Sequence, residues 1–488
     1  MNKENKLRGV MTGLSGIRCI LGICFLLAAG CTVGPNFKPP EADFPPAWTG
    51  VSAPAPEVTS AAVSEPVTLV EWWRSYEDDT LTSLIDRAVR SNLDLREAEA
   101  RIRQARAARG VGAADLWPTV DSSASYTRSR GSGGNDGFAG GGGSTQDLFQ
   151  LGLDASWELD FFGGTRRNVE ALDADTKAAV EDRRDVLVTL TADVGLNYIN
   201  LRGLQQQIAI ARRNLEAQRR TAQITRRRFE AGFVSALDVA NAEAQAATTA
   251  SQIPVLESSA REAIYILSVL LGEQPAALVE ELQGTEPIPP VPPTVPVGLP
   301  SDLLRRRPDI RRAEAQVHAA TARIGVATAD LFPRFSLTGS FGFSSSDLTS
   351  LVNWSSRTWS VGPSVQWPIF DAGRIRWNIE VQNALQEQVL IAYQRTILTA
   401  LRDVETALVA YAKEQEHRLL LEEAVANNRK AVKLSMDLYT AGQTDFLNVL
   451  TAQGSLFSSE DALVQSTRTL STDLVALYRA LGGGWEAE

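Results

Sequence analysis

The chain carries its own sequence twice, and no other feature narrows its possible folds as much. Leu93-Asp94-Leu95-Arg96-Glu97-Ala98-Glu99-Ala100 recurs 215 positions later as Pro308-Asp309-Ile310-Arg311-Arg312-Ala313-Glu314-Ala315. At the same offset Gly110-Val111 meets Gly325-Val326, and Ala114-Asp115-Leu116-Trp117-Pro118 meets Ala329-Asp330-Leu331-Phe332-Pro333. Further on the offset falls to 210: Asp193-Val194 meets Asp403-Val404, Ala231-Gly232 meets Ala441-Gly442, and Leu271-Gly272 meets Leu481-Gly482. The change falls between Pro118 and Trp157, where the Gly-rich stretch 131–144 gives the first copy a longer loop. Each copy must therefore build the same supersecondary unit, and the two must pack beside each other.

Between the copies Glu286-Pro287-Ile288-Pro289-Pro290-Val291-Pro292-Pro293 cannot be helical and reads as an extended connector over 285–300. At 44% hydrophobic and 22% charged the chain has an ordinary folded composition, and its net charge of -10 gives no overall electrostatic footprint for nucleic acid. His318 and His417, the sole histidines, lie far apart and read as solvent-facing helix residues, too few for a His-based metal site or a Ser-His-Asp arrangement. Carboxylates are plentiful but follow helix-face spacing, and no nucleophile–base–orienter set stands out. Neither catalysis, a cofactor nor a metal is expected. The Gly-rich 131–144 stretch lacks the Gly-Lys-Ser/Thr that a phosphate cradle needs and reads as a surface loop.

The three cysteines are Cys19, Cys24 and Cys31, so nothing after position 31 can form an intrachain disulfide. Lys3, Lys6, Arg8 and Arg18 precede the apolar run 19–27, and Ala28-Ala29-Gly30 leads to Cys31, which describes a signal peptide over 1–30. Cys31 after Leu27-Ala28-Ala29-Gly30 resembles a bacterial lipobox, although Ala28 stands where Leu is usual. That resemblance implies acylation of Cys31, and Thr32 in place of an Asp implies sorting to the outer membrane. Several acyl chains on one residue give stable anchoring where one is marginal.

Long helices and two strands are expected in each copy. Leu187, Val194, Leu201, Ile208, Leu215, Ala222 and Phe229 fall seven apart, one seam of a coiled coil. The second copy gives Ile397, Val404, Tyr411, a break at Arg418, then Val425, Val432 and Tyr439. A helix over 165–231 would run ~100 Å at ~1.5 Å per residue. Phe149, Leu151, Leu153, Ala155, Trp157 and Leu159 alternate with polar residues, as do Trp359, Val361, Pro363, Val365, Trp367 and Ile369. Alternation over ~10 residues with aromatic ends is the transmembrane β pattern, and a half-buried strand in a soluble sandwich alternates in the same way. The leader and anchor favour the membrane. The expected division is an N-terminal anchored segment 31–75 and two repeats, 76–284 and 301–488. The first repeat holds strands at about 119–130 and 147–160 and helices 165–231 and 235–271; the second holds strands at about 334–344 and 357–369 and helices 374–441 and 445–482.

Four strands cannot seal themselves in lipid, because an open edge leaves backbone groups unpaired. The smallest bacterial barrels have about eight strands, so two chains would leave little lumen and three would leave a channel of about twelve.

At this point the chain resembles the TolC-type outer membrane factors, in the lipoprotein branch of RND-type multidrug efflux systems. Cys31-Thr32-Val33-Gly34-Pro35-Asn36-Phe37-Lys38-Pro39 resembles that branch's start, and Trp72-Trp73, Leu81, Leu84-Ile85, Asn92, Leu95, Ala98 and Ala100-Arg101 fit its first helix. Trp157-Glu158-Leu159-Asp160-Phe161-Phe162-Gly163 and Trp367-Pro368-Ile369-Phe370-Asp371-Ala372-Gly373 fit its strand-to-helix junctions. The resemblance covers essentially the whole mature chain. It implies an α+β membrane protein: a homotrimer with a twelve-stranded outer-membrane β-barrel continued by a periplasmic α-helical barrel. It also implies two partners, a periplasmic adaptor (membrane fusion protein) and an inner-membrane RND-type pump, with outer-membrane lipid around the barrel and no nucleic acid. The implied function is a passive exit duct for drugs or other small toxic compounds; a duct for type I protein or peptide secretion is the alternative. Two matching turns, Arg228–Val239 and Leu438–Val449, are implied as the inner mouth and adaptor surface, with Gly232, Ser235, Asp238, Gly442 and Asn448 at the docking tip. Relatives carry Leu-x-x-Leu-Asp-Ala-Gln-Arg after the second turn. Here Thr451 replaces the Asp and Gly454 the Arg, so Leu447 remains as a constriction and Asp445 is the candidate for the negative charge.

Overall fold

The computed structural model describes residues 32–41, 44–49, 61–63, 69–130 and 145–485. Cys31, the leader and the Gly-rich loop 131–144 lie outside them. Six strands occur among these residues: β1 (Ala61–Val63), β2 (Thr119–Arg130), β3 (Thr145–Leu159), β4 (Thr294–Pro296), β5 (Arg334–Ser345) and β6 (Arg357–Gln366). The helices are α1 (Asp79–Ser91), α2 (Leu93–Ala114), α3 (Gly164–Glu230), α4 (Ala236–Leu270), α5 (Val279–Leu282), α6 (Leu303–Arg306), α7 (Pro308–Ala329), α8 (Arg374–Thr440) and α9 (Phe446–Ala480). The duplication reappears in their lengths. The pairs α2 and α7, α3 and α8, and α4 and α9 measure 22, 67 and 35 residues in both copies. The chain divides into two compact units, one of Met1–Pro40, Ile102–Ala178 and Ala313–Tyr393, the other of Glu41–Arg101, Ala179–Arg312 and Gln394–Glu488.

In the first unit β2, β3, β5 and β6 form one antiparallel sheet in that order. Leu151, Leu153 and Trp157 stand opposite Phe343, Phe341 and Leu337, so the apolar residues of all strands share one face, and most of it is exposed. The other face carries Ser340 Oγ 2.8 Å from Ser360 Oγ and Ser336 Oγ 2.7 Å from Ser364 Oγ. Trp157 Nε1 donates to the Leu116 carbonyl at 3.0 Å and Trp367 Nε1 to the Leu331 carbonyl at 3.1 Å, pinning each copy's second strand to the end of its short helix. β6 stops at Gln366 rather than running to 369. Pro368 has no N–H for a ladder, and Asp371 accepts from the Gly373 and Ile375 amides at 2.9 Å to start α8.

Residues 32–40 form a strap over this unit. The Val33 amide donates to the Phe162 carbonyl at 3.1 Å. Arg167, buried, donates from Nε to the Val33 carbonyl at 3.1 Å and from Nη2 to Asn36 Oδ1 at 2.6 Å, and it pairs with Glu170 at 2.7 Å. His318 is not solvent-facing, because Phe37 stacks on it at 4.3 Å and Glu170 holds its Nε2 at 3.0 Å. Burial pushes the Glu170 carboxyl up; hydrogen bonds from His318 and Arg167, with the Arg167 charge, outweigh it, and the net shift is downward. His417, by contrast, is exposed, with Nδ1 3.0 Å from Glu414.

The second unit holds most of the buried core. Trp72, Trp73 and Tyr76 pack with Tyr478, with Trp72 stacked on Tyr478 at 5.4 Å. α1 starts on Asp78, whose carboxylate accepts the Leu81 amide at 2.7 Å and the Tyr198 hydroxyl. The Pro-rich connector is more than an extended spacer. Within it β4 pairs in parallel with β1, Ala61 opposite Thr294, and the Gly298 carbonyl accepts from Trp48 at 3.0 Å. Pro254 sits inside α4 on its exposed side, where the carbonyl left without a donor can be hydrated.

The heptad seam holds differently in the two copies. Ile397, Val404, Tyr411, Val425 and Tyr439 are all buried. In the first copy Val194, Leu201 and Leu215 are buried, but Phe229 is exposed and the buried line moves to Gln218, Thr221 and Thr225. Polar side chains, not the seven-residue line, hold the packed face over the last heptads of α3.

Gly34 has a left-handed φ of 87°, and a β-carbon there would lie 2.5 Å from Gly325 Cα. Two backbones touch at that point. Gly34→Val adds ~1–2 kcal/mol of left-handed strain to this clash and is expected to unseat the strap. Limited proteolysis should then cut within residues 32–40 while circular dichroism stays unchanged. A strap as protected as in the unsubstituted protein would refute this.

Candidate functional site

The two long hairpins end in turns built from the same parts. Gly232 and Gly442 take left-handed φ angles of 77° and 73°. The Gly232 and Phe233 amides donate to the Phe229 and Arg228 carbonyls at 2.9 and 2.8 Å. The Gly442 and Gln443 amides do the same to Tyr439 and Leu438 at 3.0 and 2.9 Å. This closes the ends of α3 and α8, whose last carbonyls have no intrahelical partner.

The next helices start unequally. Ser235 caps α4 in a reciprocal box: the Ser235 amide donates to Asp238 Oδ2 at 2.9 Å, and Ser235 Oγ accepts the Asp238 amide at 3.3 Å. The Ser235 equivalent in the second turn is Asp445, which makes no side-chain cap bond to α9 and is exposed. Asn448, the Asp238 equivalent, donates instead to Thr444 Oγ1 at 2.7 Å. Leu447 is exposed one helical turn from Thr451, whose hydroxyl is spent on the Leu447 carbonyl at 2.9 Å. A β-carbon at Gly454 would meet nothing within 4 Å, so that position is open as well as uncharged.

Asp445, Leu447 and Thr451 thus share the exposed start of α9, and Gly232, Ser235 and Asp238 share the first turn. A residue that sequence reading missed brings the two turns together. Arg228 Nη1 donates to the Tyr439 carbonyl at 2.6 Å and the Thr440 carbonyl at 3.3 Å, and its guanidinium lies 4.6 Å over the Tyr439 ring. A cation at these carbonyls also meets the negative end of α8. Beneath it Tyr439, Phe446, Val449 and Ala242 form a buried cluster. The Arg228 equivalent in the second copy is Leu438, which is exposed. Leu237 and Phe233 are exposed in the first turn too, and Leu237 matches Leu447. Reading the two turns position against position would have found these.

Higher up the hairpins, Glu460 is buried between the copies. Arg429 holds it at 2.8 Å and Asn214 at 3.2 Å; burial raises its pKa, these bonds outweigh that, and the net shift is downward. A cleft of about 660 Å³ in the same unit is lined by Asp185, Arg307, Asp309, Asp403, Asp473 and Arg479. Burial, and then repulsion from Glu414, pushes the Asp473 carboxyl up to about 6. Among the described residues no helix is long and apolar enough to cross a membrane, and no group of His, Cys, Asp and Glu could hold a metal ion.

Two perturbations read these features. Ser235→Ala removes a cap worth ~1 kcal/mol, so amides in the first turn of α4 should exchange ~5-fold faster with deuterium. Equal exchange in both proteins would refute the cap. Asp473 binds its proton more tightly folded than unfolded, so stability falls as pH rises from ~4 to about 6. Asp473→Asn should raise the melting temperature at pH 7.5 and leave it little changed at pH 4. A gain of the same size at both pH values would count against the buried charge.

Comparison with known proteins places this geometry. The fold matches the outer-membrane channel OprN with a TM-score of 0.86 and 37% identity, covering 93% of this chain and 100% of that one. The CmeC outer membrane channel of Campylobacter jejuni gives 0.86 at 25% identity, covering 94% and 96%. The pyoverdine export outer membrane protein OpmQ of Pseudomonas aeruginosa is 34% identical over 449 residues, 91% of this chain and 94% of that protein. Nodulation protein T of Rhizobium leguminosarum bv. trifolii is 32% identical over 460 residues, 94% and 96% respectively. The family described as "Outer membrane efflux protein" matches twice, over residues 84–273 and 299–483, one match in each copy. The chain belongs to this family and is the outer-membrane channel component of a tripartite efflux system.

Proposed function

We propose that three copies of this chain form a passive exit duct and perform no chemistry on what passes. One observation carries the reading: a four-stranded sheet exposes a continuous apolar face, and its outer strands β2 and β6 have no strand neighbour on one side among the described residues. Hydrocarbon suits the face but not the edges, whose N–H and C=O groups would be unpaired there. Three sheets joined edge to edge make a barrel of about twelve strands, wide enough for a lumen. The hairpins α3–α4 and α8–α9 extend it as a helical tunnel in the periplasm. Cys31, one residue before the strap, carries the lipid anchor.

The twin turns form the inner mouth. Gly232, Ser235, Asp238, Gly442 and Asn448 supply the surface for a periplasmic adaptor, and an inner-membrane RND-type pump supplies the energy. Leu447 narrows the mouth. Asp445, whose carboxylate is not spent on a cap, gives a ring of negative charge in the trimer. The cargo class is small molecules: relatives are named for pyoverdine export and for solvent efflux.

Native mass measurement of the detergent-extracted protein should give three chains with bound detergent. A water-soluble single chain would reject the duct. In planar bilayers under a salt gradient, Asp445→Ala should move the reversal potential toward zero. An unchanged cation preference would remove Asp445 from the mouth.

A further inference from the structure

The cleft beside Asp473 follows α9 from Asp473 to Ala480, ~10 Å at ~1.5 Å per residue, with α3 and α8 as its other walls. Its volume of about 660 Å³ lies within the ~300–1,000 Å³ of small-molecule sites. Its apolar lining is Val188, Leu196, Ala407, Ala410, Ala476 and Ala480. Small side chains open it. Their equivalents in the other copy are larger: Asn197 for Ala407, Asn200 for Ala410, Ile266 for Ala476 and Leu270 for Ala480. The charges along the cleft are paired, with one exception. Arg307 meets Asp309 at 2.8 Å, Arg402 meets Asp403 at 2.7 Å, Asp185 meets Arg312 at 3.1 Å and Arg479 meets Asp193 at 3.8 Å. Among the described residues the half-buried Asp473 carboxylate has neither a hydrogen bond nor an ion pair. Its raised pKa, about 6, fits an anion that has lost water and gained no counter-ion. The equivalent residue in the first copy is Ala263.

The cleft opens away from the packed core. On the other side of α9 Leu474, Val475, Leu477 and Tyr478 are buried, with Tyr478 stacked on Trp72. There the Tyr76 hydroxyl donates to the Ser471 carbonyl at 2.8 Å, and the Ser471 hydroxyl to the Pro289 carbonyl at 3.3 Å. Residues 72–76 and the Pro-rich connector thus cover one side of these helices. Three such layers inside a ring of copies would fill its lumen, so they lie outside and the cleft faces in. We propose that this cleft is a cargo-contact site on the tunnel wall, and that it takes organic monocations with an apolar body. The cationic group pairs with Asp473, and the body lies along Ala410, Ala476 and Ala480. Ala476 and Ala480 stand three and seven residues beyond Asp473, on the same helix face. An anion would be repelled by the unpaired carboxylate, and a small metal ion would leave the apolar lining unused. The inference rests on the duct proposed above and names a class of its cargo.

The test titrates the full-length protein in non-ionic detergent with ethidium, a permanent organic cation whose fluorescence rises out of water, and takes a native mass of the same sample. Asp473→Asn should weaken binding roughly fivefold or more. Ala476→Ile, which installs the residue of the other copy and leaves every charge in place, should weaken it to a similar degree. Circular dichroism should be unchanged in both. Equal affinity in all three proteins, at a native mass of three chains, overturns the site and leaves the duct standing. Loss in Asp473→Asn with none in Ala476→Ile overturns the cleft as the place of contact. A native mass of one chain overturns the duct, and the cleft's place on a tunnel wall with it. In planar bilayers ethidium should reduce the current through unsubstituted channels and spare Asp473→Asn channels. Equal block of both would take the cleft off the conducting path.

Discussion

A backbone amide in hydrocarbon has no water to turn to, and this one fact organises the molecule. The sheet of β2, β3, β5 and β6 satisfies its inner ladders and leaves its outer ones for something outside the chain. Its apolar face is laid out in register, with Leu153 opposite Phe341 and Phe341 opposite Trp359, and most of it is exposed. The polar face repeats serine against serine, which suits a wet lumen. Duplication supplies the sheet economically: two hairpins with one register, related by fixed offsets.

At the hairpin ends the same duplication is broken on purpose-specific residues. Arg228 ties the first turn to the carbonyls that end α8, and its counterpart Leu438 offers no such bond. Ser235 closes a cap where Asp445 leaves a carboxylate free of the helix. Thr451 and Gly454 place no charge just beyond. The turns are tied together within the chain by Arg228, and Leu447, Leu438 and Phe233 stay exposed around them.

Much of this was legible in the sequence because the two copies check each other. The alternation over 149–159 and 359–365 falls on strands β3 and β6. Other features were not legible, for identifiable reasons. The seven-residue seam followed the packed face in α8 but left it before Phe229 in α3, because polar Gln218, Thr221 and Thr225 take the buried line there and carry no hydrophobic signal. His318 gave no hint of the Phe37 stack, since the strap that covers it lies far away in sequence. The β1–β4 pair hid in a proline-rich stretch because three residues of parallel ladder leave no periodicity to read. Arg228 looked like one more basic residue at a helix end. Its role comes from a carbonyl more than two hundred positions away.

The matched lengths of α3 with α8 and α4 with α9 carry a consequence for how such a chain can change over time. Because Arg228 joins the two ends at one level, a heptad gained or lost in one hairpin alone would carry it past its acceptors and leave the rim stepped. Growth or shortening must therefore happen in both halves together. Residues 131–144 escape that coupling, and this is where the copies have drifted apart in length.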